Sequence, residues 1–109
     1  MTRVTIYRNT NGQYTGFDCT GHAAFGEYGQ DFVCAGVSAL VINTINSIAI
    51  FSNEKFETDS DEETGRITLN FLQPAYKEAD LFMKSLVLGL QAIQNNYGND
   101  YIILNFEEV

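Results

Sequence analysis

Basic residues are scarce in this chain. Six Lys and Arg stand against fourteen Asp and Glu, a net charge of −8. Binding to phosphate needs clustered positive charge, so no direct nucleic-acid partner is expected, and an anionic membrane surface is equally disfavoured. Histidine is scarcer still, with His22 standing alone. The two cysteines, Cys19 and Cys34, are too few for a disulfide framework and form no Cys-x-x-Cys redox pair. Met1-Thr2-Arg3-Val4-Thr5-Ile6 lacks the apolar run of a signal peptide. The longest apolar stretch, Val33 to Phe51, is broken by Ser, Asn and Thr, so no membrane span is expected. Repeats, linkers and low-complexity segments are also lacking. These absences leave the expectation of a cytoplasmic protein with free thiols, folded as one domain over residues 1–109.

What is present builds a core. Apolar residues make up 45% of the chain, including eight Phe and six Tyr, which is too apolar for disorder. Val4 to Tyr7 alternates with period two, Asn11-Gly12 signals a tight turn, and Tyr14 to Thr20 reads as the return strand. Gly21 to Gln30 carries three glycines and no period, so it reads as a loop. Asp31 makes a good N-cap for a helix from Phe32 to about Phe51. That helix is apolar nearly all round, which predicts burial on more than one side, by the sheet and by a second helix or subunit. Lys55 to Thr58 reads as a short strand, Asp59 to Gly65 as an acidic turn, and Arg66 to Phe71 as a strand. The acidic turn lacks the ligand spacing of an EF-hand loop and reads as a solvated tip. Ala75 to Asn96 forms a second helix with Ala79, Phe82, Met83, Leu86, Leu90 and Ile93 on one face, stopped by Gly98. Tyr101 to Phe106 is the last strand. The order β-β-α-β-β-α-β predicts a two-layer α+β domain, an antiparallel or mixed sheet with two helices packed on it.

Chemistry concentrates on the histidine and the second cysteine. A thiol needs a base to become a nucleophile near neutral pH, and His22 is the one imidazole available. With Asp31 as cap, Cys34 is the third residue of the helix, where free N–H groups and the helix dipole favour a thiolate and could hold an oxyanion. Against this stands the plainer reading of Cys34 as a small core residue and His22 as a loop residue. Asp31 has two roles open to it, capping the helix or orienting His22; the cap needs no long-range contact. Gly21 and Gly36 could line the cleft, Gly36 by permitting close approach of substrate or, equally, of a neighbouring strand. Ser38, one turn after Cys34, could face the same cleft or bond back to a helix carbonyl. Cys19, His22 and Cys34 lack a fourth partner and convincing spacing for zinc, so no metal and no cofactor is expected. Cys19 reads as a strand residue packing inward.

Gly21-His22-Ala23, followed by Gly29-Gln30-Asp31-Phe32-Val33-Cys34-Ala35-Gly36-Val37-Ser38-Ala39, resembles the signature of the ribosomal-processing cysteine protease family. The resemblance extends over the whole chain, including Leu88-Gly89-Leu90-Gln91 in the second helix. It implies an endopeptidase that removes an N-terminal extension, ending in adjacent aromatic residues, from the bacterial large-subunit ribosomal protein numbered twenty-seven. On this likeness Cys34 is the nucleophile, His22 the general base and acid, and Asp31 an assisting residue. It further implies a homodimer, and a link between His22 and Cys34 that orders with substrate. An acidic surface suits a basic ribosomal precursor, although solubility alone would explain it. The alternative is a ribosome-associated module that binds such a protein without cutting it.

Overall fold

The computed structural model describes residues 1–21 and 28–109, and the side chains of all of these except 28–31. Seven elements follow one another: β1 (Thr2–Arg8), β2 (Tyr14–Thr20), α1 (Tyr28–Phe51), β3 (Phe56–Asp61), β4 (Arg66–Phe71), α2 (Glu78–Tyr97) and β5 (Ile102–Glu108). The five strands form one sheet in the order β3-β4-β2-β1-β5. β1 pairs antiparallel with β2 and parallel with β5, while β2–β4 and β3–β4 are antiparallel. The expected two-layer α+β architecture with a mixed sheet is the one observed.

Alternation along the strands sets the two faces. Thr2, Val4, Ile6, Phe17, Cys19, Ile67, Leu69 and Ile102 are buried on the helix side. A register shift between Tyr7 and Arg8 keeps Tyr14 in the core with Phe17, three residues on. The opposite face carries Asp18, whose carboxylate accepts two hydrogen bonds from Arg66 at 2.7 and 3.2 Å. α1 sends Val33, Val37, Val41 and Ile48 inward, and α2 sends Ala79, Met83, Leu86, Val87 and Leu90. The helices touch where Gly89 of α2 meets Leu40 of α1. Ile42, Ile50 and Phe51 of α1 stay exposed, so within one chain the helix is covered by the sheet and α2 but not all round.

Three boundaries depart most from expectation. α1 begins at Tyr28, four residues before Phe32. Tyr28-Gly29-Gln30 contains no proline, and extending a helix over it costs little beyond about 1 kcal/mol for the glycine. β3 runs through Asp59 to Asp61, because on an exposed edge strand acids can point to water. The turn shortens to Glu62 through Gly65, the glycine at φ 69°. α2 starts at Glu78 instead of Ala75 because the chain before it is held otherwise. Ala75 N–H donates to Tyr14 O at 2.8 Å, Tyr76 N–H to Glu54 Oε1 at 2.9 Å, and Lys77 turns through φ 54°. Gly98 does stop α2, its N–H donating to Gln94 O.

One exclusion also needs correction. Phe32–Phe51 is long and apolar enough by length and composition to cross a membrane, despite its Ser, Asn and Thr. A core helix passes the same test, and here its buried stripe packs against the sheet.

Candidate active site

Three elements meet at Cys34. α1 carries the residue on its sheet-facing side, where it is only 4% exposed. The start of β1 places Thr2 against it, and the Thr2 hydroxyl donates to Cys34 Sγ at 3.3 Å. The end of β2 places Gly21 against it, and the thiol donates to Gly21 O over a long 3.8 Å. Gly21 has φ 84°, and a Cβ there would collide with Met1 O, so only glycine lets β2 end this close to the start of β1.

The placement of Cys34 along its helix corrects an expectation. Since α1 starts at Tyr28, Cys34 is nearly two turns in, not in the first turn. The unpaired N–H groups and the strongest dipole effect belong to the first turn, so neither accounts for the sulfur's surroundings. Asp31 likewise lies inside the helix and is not its N-cap. The Asp31 side chain and the whole of His22 fall outside the described residues, as does most of the link between them.

The remaining expected residues divide. Gly21 touches the sulfur. Gly36 faces the other way, toward α2, where a Cβ would lie 3.6 Å from Ile93 Cδ1. That places it at the contact between the two helices. Ser38 is half-buried and makes no hydrogen bond to a described residue, so the expected bond to a helix carbonyl is not observed. Cys19 packs inward on β2 as expected. Burial pushes its thiol up to about 12, with the charges of Cys34 and Asp18 adding to the effect. Such a thiol stays protonated near neutral pH and is a poor nucleophile.

Thr2 was not singled out from the sequence. The signal was nonetheless there: alternation with Val4 and Ile6 puts a hydroxyl into a core-facing register. A surface cavity of about 580 Å³, lined in part by Gln13, Glu54 and Lys77, is not at this site. Gln13 and Gly21 flank opposite ends of β2, roughly 25 Å apart at strand rise.

Comparison with known proteins bears directly on this arrangement. The family model described as cysteine protease Prp matches residues 1–102. A ribosomal processing cysteine protease Prp from Staphylococcus aureus is 34% identical over 107 residues, covering 98% of this chain and 100% of the relative. The crystal structure of the S. aureus protease with a substrate peptide superposes with a TM-score of 0.91 at 33% identity, covering 97% of this chain and 99% of that one. A second, with a covalently linked product peptide, gives 0.86 at 34% identity over the same shares.

Proposed function

The chain belongs to the Prp family of ribosomal processing cysteine proteases, and on that premise we propose that it cuts the N-terminal extension from a large-subunit ribosomal protein, the one numbered twenty-seven. Cys34 is the nucleophile of this reaction and His22 its base and acid. One observation carries the assignment of the sulfur. The S. aureus relative holds a covalently linked product, which calls for a nucleophile. Of the two thiols here, Cys19 is locked in the core and held protonated.

The steps follow from ordinary thiol chemistry. His22 takes the Cys34 proton, and the thiolate adds to the scissile carbonyl carbon. Collapse of the tetrahedral intermediate breaks the C–N bond, and the imidazolium gives its proton to the leaving amine. Water, deprotonated by His22, then hydrolyses the thioester and returns the thiol. The acidic balance of the chain, −8, suits a basic precursor by long-range attraction. The reading carries with it a cytoplasmic location, where ribosomal precursors are made, which cell fractionation checks. It also carries a homodimer, supported by the exposed apolar residues of α1.

The deciding experiment incubates the precursor with the protein and reads its mass. Cys34→Ala and His22→Ala are each expected to lower cleavage by about a thousand-fold or more. Cys19→Ala should retain most of it. An intact precursor after long incubation with reduced parent protein would sink the reading.

A further inference from the structure

We propose that Thr2 is a positioning residue for the Cys34 sulfur, its hydroxyl holding Sγ in place and remaining as the donor to the thiolate. The proposal rests on the reading of Cys34 as nucleophile.

Thr2 and Thr44 are the buried polar side chains among the described residues. Thr44 has an ordinary explanation, since its hydroxyl bonds back to Leu40 O at 2.7 Å within α1. Thr2 does not. Its side chain is 0% exposed, and its hydroxyl bonds to no described backbone group but to the sulfur alone. Packing does not call for a hydroxyl there, because Val4 and Ile6 fill the same face of β1 with apolar groups. A buried hydroxyl is retained where it has a partner, and here the partner is the reacting atom.

The two contacts of the sulfur act in opposite senses. As a thiol, Cys34 accepts from Thr2 and donates to Gly21 O. When the proton leaves, the Gly21 carbonyl has nothing to accept and its oxygen faces a negative sulfur. The Thr2 O–H bond strengthens, because its acceptor is now charged. Thr2 thus favours the attacking form, and Gly21 the resting form. The donor is also rigidly mounted. Thr2 N–H donates to Tyr101 O at 3.1 Å, and Thr2 pairs with Ile102 while the next residue pairs with Thr20. β1 is therefore held from both sides at the point where it meets the sulfur.

The test reads the thiolate directly. The rate at which iodoacetamide alkylates Cys34 is followed across pH, with peptide mapping to separate it from Cys19. Thr2→Val keeps the shape and removes the donor; Thr2→Ser keeps the donor. The Thr2→Val profile is expected to move to higher pH by about one unit, a roughly ten-fold loss of thiolate on its acid side. Its peptide cleavage should fall by a similar factor near neutral pH and recover in alkali, while Thr2→Ser follows the parent in both. Coincident parent and Thr2→Val profiles would overturn the proposal, as would an equal shift in Thr2→Ser. Should Thr2→Val fail to fold, Thr2→Ala carries the same comparison. Alkylation needs no cleavage, so it judges Thr2 separately. Full cleavage by Cys34→Ala would instead refute the nucleophile assignment.

Discussion

Two buried thiols lie within each other's electrostatic reach, and their neighbours separate their chemistry. Cys34 meets a hydroxyl and a carbonyl. Cys19 packs in the apolar core, paired through the backbone with Val4 and Ile67. The raised value of Cys19 has a stability consequence. Its folded state holds the proton more tightly than the unfolded chain does, so its contribution is whole below about 9 and is lost as pH climbs toward about 12. Thermal melts of the parent should fall across that window, by at most about 1.4 kcal/mol per pH unit from this group. Tyr7 is also raised, chiefly by burial and then by Asp18. The comparison with Cys19→Ala isolates the thiol: that variant should show the shallower alkaline decline, and identical slopes would refute the account.

Among the elements, two glycines mark contacts of different stiffness. At Gly16 an added Cβ would strike the Leu69 carbonyl, part of the neighbouring strand's backbone. At Gly89 it would lie 2.9 Å from Leu40 Cδ1, the free end of a flexible side chain. Gly16→Ala is expected to cost about 1–3 kcal/mol or more in urea unfolding. Gly89→Ala should stay within about 1 kcal/mol of the parent, because helix propensity offsets the shift of one rotamer. A reversed order would show the strand contact to be the softer one. The same contrast explains what could be read in advance. Alternation at Val4 to Tyr7 and Arg66 to Phe71, the Asn11-Gly12 turn and the three- and four-residue spacing of α2 are local, and they located their elements. The N-terminus of α2 was set by Tyr14 O and Glu54, partners distant in sequence, so the apolar period overran it. Cys34 was singled out through its motif. Its partner Thr2 depends on a pairing across 32 positions, for which no local pattern exists.

On the scale of the whole molecule, the helix layer is finished on one side only. Ile50 is 72% exposed and Leu88 70%, with Ile42, Phe51 and Leu81 also open to solvent. Large apolar side chains left exposed on both helices make this layer a candidate interface. Analytical ultracentrifugation is expected to find a dimer, and Ile50→Glu to weaken it at least ten-fold while leaving the far-ultraviolet spectrum unchanged. A monomer at tens of micromolar would remove the homodimer from the proposed function without touching the chemistry proposed for Cys34.

The parallel pairing of β1 with β5 reaches further than architecture. Thr2 is registered against Ile102, so the strand that carries the sulfur's donor is completed by residues one hundred positions away. Closing so long a loop is slow and depends on everything between being in place. On the ribosome, β5 cannot join β1 until Ile102 to Glu108 have left the exit tunnel. Full support of the strand that carries Thr2 is then a late event in folding, and until then β1 is paired to β2 alone.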